Sequence, residues 1–364
     1  MPLIETAGLY QRYGENDILQ NVNLKVEQGE VFALIGPTGA GKTSLLRLIN
    51  LLDLPTSGEI YFDGTSIAGS ARPTIELRRR MAFVLQKPVV FNMSVYDNIA
   101  CGLKWRKENK GDIRGKVDGI LEMVALSGYK DRQARTLSGG EMQMVAIARA
   151  IVSEPELLLM DEPTANLDPA SAAKIEALIT DTIHRYNTTI IMSTHDMFQG
   201  QRLADRVGVL LNGQIQQSGY WRQVFESPRN EEVATFVGVE NIIDGLVASS
   251  QDKIVTITVD GSVIEAVSDS AVGVEVCACI RPEDITLAKS KTSSSARNSF
   301  AGRITRIVSF GALRRIELDC GFPLVALVTK RSAEELELDK GKQVYASFKA
   351  TGVHVISRQG NDPD

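Results

Sequence analysis

No apolar run in the sequence approaches membrane-spanning length. The longest, such as Val31 to Ile35 and Leu157 to Met160, fall far short of the roughly 20 residues a helix needs to cross a bilayer. The stretch Met1-Pro2-Leu3-Ile4-Glu5 lacks both the basic lead and the apolar core of a secretion signal, so a cytoplasmic protein is expected. A basic excess is missing too. Lys and Arg number 40 against 45 Asp and Glu, a formal charge of -5, and binding to phosphate backbones needs a basic face, so no nucleic-acid partner is expected. Cysteine is scarce: the four are Cys101, Cys277, Cys279 and Cys320. The Cys277-x-Cys279 pair is too sparse for a zinc site and reads as alternate positions on a strand, with the thiols reduced.

What is present is the composition of an ordinary soluble protein, 43% apolar and 23% charged, in a chain whose 364 residues exceed one typical core. From Leu3 to about Phe236 short apolar runs alternate with helical patterns, the signature of an α/β domain. Val31 to Ile35 is a buried strand that ends where glycines begin, and Ser44 to Asn50 then opens a helix. Leu157 to Met160 ends at Asp161-Glu162, and Thr189 to Met192 ends at Ser193-Thr194-His195. Polar residues thus collect at the carboxyl ends of strands, where open α/β sheets bind ligands. A helical subdomain is expected over about 88–155, where Val117, Ile120, Leu121, Val124 and Leu126 recur at helical spacing. After the turn at Ser227-Pro228 and a short helical stretch ending at Gly238, alternating strands dominate, so domains of residues 1–237 and 238–364 are expected.

The second domain repeats itself. Asn241 to Val247 matches Asn298 to Ile304, and Gly273 to Leu287 matches Gly341 to Val355, pairing Ile280 with Phe348 and Arg281 with Lys349. Two β units are expected, about 240–290 and 295–356, joined by a polar connector at Lys289 to Ser295. The second adds a short helical stretch, Ala333 to Leu338.

Gly36-Pro37-Thr38-Gly39-Ala40-Gly41-Lys42-Thr43, between a strand and a helix, has the GxxxxGK[ST] spacing of a phosphate loop. Its glycines let backbone N–H groups converge on phosphate oxygens at the positive end of the helix. Lys42 is expected to reach the β and γ phosphates, and Thr43 to offer its hydroxyl to Mg2+. Asp161 suits a Mg2+ partner, and Glu162 a base that polarises the attacking water.

With these residues in place, the first domain resembles the ABC transporter ATPases. Leu137-Ser138-Gly139-Gly140-Glu141 is similar to the family signature, with Glu141 in place of the commoner Gln and Met144 in place of a frequent Arg. The resemblance implies that Gln86 senses Mg2+ and faces membrane subunits, that Asp168 lies in the D-loop, that His195 contacts the γ-phosphate and that Tyr13 stacks on adenine. Because the family's signature completes the site of a second subunit, a homodimer sandwiching two ATP is implied. The implied fold is an α/β P-loop NTPase (an ABC ATPase with a helical subdomain) plus an all-β domain of two OB-like repeats.

Ile280-Arg281-Pro282-Glu283-Asp284-Ile285 resembles a segment in the regulatory domains of importer ATPases. Ser295-Ala296-Arg297-Asn298, Thr329-Lys330-Arg331-Ser332 and Phe348-Lys349-Ala350 resemble a Mop, or molybdate-binding, domain, with Ala350 where Ser is frequent. Arg, Lys and hydroxyls suit a tetrahedral dianion because they donate hydrogen bonds, so the resemblance makes Ser295, Arg297, Thr329, Ser332 and Lys349 oxyanion candidates. The implied activity is ATP hydrolysis coupled to molybdate or tungstate import, peripheral on the cytoplasmic face of the cell membrane. Its implied partners are two transmembrane permease subunits and an extracytoplasmic substrate-binding protein, with feedback by the oxyanion. The alternatives are import of another anion, a polyamine, iron or a sugar, and a soluble non-transport ABC ATPase.

Overall fold

The computed structural model describes residues 1–67 and 75–358. The chain forms two compact units, Met1–Trp221 and Arg222–Asp364; the last residues of the expected second domain, 359–364, lie outside the described residues. Among the described residues, no helix is long and apolar enough to cross a membrane.

The first unit is built on a six-stranded sheet. Its spatial order is Gln214–Tyr220, Arg206–Leu211, Val31–Ile35, Thr189–Thr194, Leu157–Asp161 and Met81–Val84, parallel except for the first. The runs Val31–Ile35, Leu157–Asp161 and Thr189–Thr194 are buried at every position, as parallel strands covered on both faces must be. Thr189–Thr194 lies between the other two, so the residues at the ends of all three converge at one rim of the sheet. A second, antiparallel sheet joins Pro2–Tyr13, Asn16–Glu27, Ser57–Phe62 and Thr65–Ser66. Leu45, Leu46, Leu48 and Ile49 of the helix Lys42–Ile49 are buried in the core that this unit shares with Leu9, Leu24, Phe32 and Ile60. The helical segment holds Val95–Trp105, Lys110–Met123 and Gly139–Ile151; Val117, Ile120 and Leu121 form the buried face of the second.

The second unit begins earlier than the change in sequence character, with the helices Trp221–Glu226 and Glu231–Phe236 next to the division. Two bonds invisible in sequence tie this connector to the strands: Arg281 donates to the Phe225 carbonyl, and His354 Nε2 meets the Pro228 carbonyl at 2.9 Å. The strands form two five-stranded antiparallel sheets of OB-like type. Each repeat contributes four strands to its own sheet and its fifth to the other's. Val353–Ser357 pairs with Glu275–Ile280 of the first repeat, and Thr286–Ala288 pairs with Gln343–Phe348 of the second. The matched asparagines seal the exchange. Asn241 binds both backbone groups of Val325 in the second repeat, at 2.9 and 2.6 Å, and Asn298 binds both of Glu265 in the first, each at 2.8 Å. The short helix runs Lys330–Glu335, ahead of its expected start, because Thr329 caps it by accepting the Ser332 N–H. All four cysteines are buried free thiols, and burial pushes Cys277 up to about 11 and Cys279 to about 12.

Candidate nucleotide site

The loop from Gly36 to Thr43 leaves the buried strand Val31–Ile35 and enters the helix Lys42–Ile49. Pro37, Thr38 and Gly39 are exposed, while Gly36, Ala40, Gly41 and Lys42 are buried. Gly36 admits no side chain, since a Cβ there would lie 2.2 Å from the Leu210 carbonyl oxygen, and Gly41 sits at φ +105°. Lys42 Nζ folds back over the loop and donates to the Gly36 and Pro37 carbonyls at 2.7 and 3.0 Å, with 5% of its side chain exposed. Burial lowers the Lys42 pKa, and Glu162 and Asp161 act in the opposite direction. A buried ammonium over a ring of glycine-rich backbone is a cradle for a polyphosphate.

The acidic pair closes the site. Thr43 Oγ1 donates to Asp161 Oδ2 at 2.8 Å, and Ser193 Oγ donates to the other carboxylate oxygen at 2.6 Å. The same Ser193 hydroxyl accepts the Glu162 N–H at 3.0 Å, and the Ser193 carbonyl accepts it at 3.1 Å. Glu162 needs that hold because its φ is +43°, a region costly for a residue with a Cβ. Around the Glu162 carboxylate stand Gln86 Nε2 at 3.0 Å, His195 Nδ1 at 3.2 Å and Lys42 Nζ at 3.8 Å. Glu162, Gln86, His195, Lys42, Thr43 and Asp161 thus form one connected cluster, joined through Ser193. Hard oxygens from Thr43 and Asp161, beside a phosphate cradle, fit Mg2+, which would neutralise phosphate charge when bound.

Sequence reasoning noted Ser193 and missed its role, which needs two neighbouring strands to be seen. Ser138 caps the helix Gly139–Ile151 through a reciprocal box: Glu141 N–H donates to Ser138 Oγ at 3.3 Å, and the Glu141 carboxylate accepts the Ser138 N–H at 2.8 Å. That bond holds Glu141 below the usual carboxylate range. Asp168 caps the helix Pro169–Tyr186 and takes the Ser171 hydroxyl at 2.6 Å. A Cβ on Gly140 would lie 2.7 Å from that same Ser171 Oγ, so the signature turn and the Asp168 turn pack against each other. Tyr13 is 46% exposed at the end of its strand, its hydroxyl bonded to Asp53 at 3.0 Å, and Tyr10 is 42% exposed.

The oxyanion candidates do not converge. Ser295 and Lys349 line an open cavity of about 1130 Å³ in the second unit, together with Arg281, Glu283, Asp284 and His354. Arg297 is instead paired with Glu265 at 2.9 Å, and Thr329 and Ser332 bond to each other at 2.8 Å in the helix cap.

A glycine-rich phosphate loop feeding a helix, with Thr43 and an Asp-Glu strand end converging over a parallel sheet, defines a P-loop nucleotide hydrolase. Comparison with known proteins narrows the class. Residues 19–165 match the ABC transporter family and residues 294–355 the TOBE domain. A molybdate/tungstate import ATP-binding protein of Pyrococcus horikoshii is 39% identical over 340 residues, 93% of this chain and 95% of that one. A spermidine/putrescine import ATP-binding protein of Legionella pneumophila is 34% identical over 88% of each chain. The chain belongs to the ABC transporter ATP-binding proteins, as an importer ATPase subunit that uses ATP with Mg2+. A solved ATP-binding cassette, dimeric in a post-hydrolysis state with ADP and Pi, is 28% identical with a TM-score of 0.55, covering 60% of this chain and 99% of that one.

Proposed function

We propose that the chain energises uptake of molybdate or tungstate, working as a homodimer on the cytoplasmic face of the membrane with two permease subunits and an extracytoplasmic binding protein. The observation that carries this reading is the similarity to the Pyrococcus protein named for that cargo, which runs through both domains instead of stopping at the ATPase. In this reading Lys42 and the amides of residues 36–43 hold the phosphates, Tyr13 stacks on adenine, and Thr43, Asp161 and Gln86 surround Mg2+. Glu162 polarises the attacking water, His195 contacts the γ-phosphate, and Ser138, Gly139, Gly140 and Asp168 of each copy complete the site of the other. Uptake of labelled tungstate, molybdate and spermidine by cells carrying the wild-type chain or Lys42→Ala tests the cargo. Loss of oxyanion uptake alone is expected. The similarity to the Legionella protein favours a polyamine as the second reading, and loss of spermidine uptake alone would establish it.

For the second domain we propose that an oxyanion meets Ser295 and Lys349, which face the same cavity, and that its binding feeds back on hydrolysis. Calorimetry of the full chain with tungstate, sulfate and phosphate is expected to show tungstate heat that Lys349→Ala removes. Heat unchanged by that substitution would discard this site.

A further inference from the structure

The strand that carries Tyr13 and the helix that follows the phosphate loop are joined by a carboxylate belonging to neither motif. Asp53, just beyond the helix Lys42–Ile49, accepts the Tyr13 hydroxyl on Oδ2 at 3.0 Å. The same carboxylate takes Arg47 in a two-pronged pair, Nε to Oδ2 at 2.7 Å and Nη2 to Oδ1 at 2.9 Å. Arg47 lies in the last turn of the helix that the phosphate loop enters. The far end of the Tyr13 side chain is therefore fixed to the rigid element that holds the phosphates, while the residue stays 46% exposed. The paired groups are less open, the Asp53 side chain at 22% and Arg47 at 41%. The Arg47 guanidinium holds the Asp53 carboxyl below its usual range, and burial followed by the Asp53 bond raises the Tyr13 phenol. At neutral pH the trio is a guanidinium, a carboxylate and a neutral phenol, the charge states this geometry needs.

We infer that Asp53 is a positioning residue for nucleotide binding: clamped by Arg47, it fixes the Tyr13 ring at a set separation from the phosphate cradle. Base and triphosphate are then read as one rigid unit. The inference rests on the adenine-facing reading of Tyr13 given above. A side chain already ordered loses no rotamer freedom when ligand arrives, and freeing it costs about 3- to 10-fold in affinity.

Dissociation constants of the full chain for Mg-ATP and for inorganic tripolyphosphate test this, because tripolyphosphate has no base to meet the ring. In Tyr13→Phe and in Asp53→Ala, ATP affinity is expected to fall about 3- to 10-fold while tripolyphosphate affinity stays within about twofold. The double variant is expected to be no weaker than either single one, since both remove the same link. Asp53→Asn keeps an acceptor for the phenol and is expected to retain most of the preference for ATP, which keeps the test open if Asp53→Ala folds poorly. If Tyr13→Ala weakens ATP binding while Tyr13→Phe and Asp53→Ala do not, the positioning role is refuted and the adenine reading stands. If Tyr13→Ala itself leaves ATP binding unchanged, both are refuted. Equal losses for ATP and tripolyphosphate in the Asp53 variants would make Asp53 a support of the helix alone and would also overturn the inference.

Discussion

Removing one hydroxyl, in Ser193→Ala, asks whether the acidic pair is aimed from the neighbouring strand. Ser193 is fully buried and makes two bonds through Oγ: it donates to Asp161 at 2.6 Å and accepts from the Glu162 N–H at 3.0 Å. The first is assisted by the carboxylate charge, and such bonds contribute about 1.5–3 kcal/mol. Lost entirely from the transition state, that is about a 10- to 150-fold fall in kcat. The second bond is partly backed up, because the Ser193 carbonyl also accepts the Glu162 N–H at 3.1 Å and keeps a hold on the backbone there. The expected loss therefore sits toward the lower end, about 10- to 30-fold. In the proposed reading Lys42 and the loop amides hold the phosphates without Ser193, so ATP affinity should move by no more than about twofold. Steady-state ATPase over a range of ATP and Mg2+ reads both quantities. A kcat within about twofold of wild type in a folded Ser193→Ala protein would refute the aiming role. A parallel loss of ATP affinity would show instead that the site had collapsed.

Two further outcomes concern stability. Asn298→Ala removes two bonds to Glu265, and Asn241→Ala removes bonds to Val325 and Ile280, each leaving backbone groups unmatched; each should destabilise the second domain by about 2–4 kcal/mol. Because the fifth strands are exchanged, hydrogen exchange should speed up in both repeats whichever asparagine is changed, and a loss confined to one repeat would contradict the exchange. Glu141 has a folded pKa below its unfolded value, so its contribution to the helix cap is present above the unfolded value and fades as pH falls through the folded one. Glu141→Gln should remove that acid dependence from exchange at the first turn of its helix.

The phosphate loop and the acidic pair of the candidate site were legible as residue types at fixed short spacings, a glycine loop ending in Lys42-Thr43 and acids directly after an apolar strand, whereas the roles of Gln86 and His195 came only from the resemblance. The fine positioning of the site was not legible. Ser193 and Asp53 bond to residues on strands distant in sequence, and a lone Ser or Asp carries no local signal. The β repeat was visible in matched Asn, Gly and apolar positions, yet the exchange of fifth strands was not, since a swapped strand and an unswapped one have the same pattern. The oxyanion candidates follow from a resemblance carried by short segments, and such a resemblance does not register that Arg297 has Glu265 within reach or that Thr329 and Ser332 serve a helix cap.

We propose that two copies of this chain hydrolyse ATP with Glu162 as the group that polarises water. It is tested most directly by Glu162→Gln, with sedimentation and bound-nucleotide analysis in Mg-ATP. A stable dimer retaining unhydrolysed ATP is expected, absent with ADP and absent when Ser138 and Gly140 are also replaced. Hydrolysis at the wild-type rate with the protein remaining monomeric would contradict it.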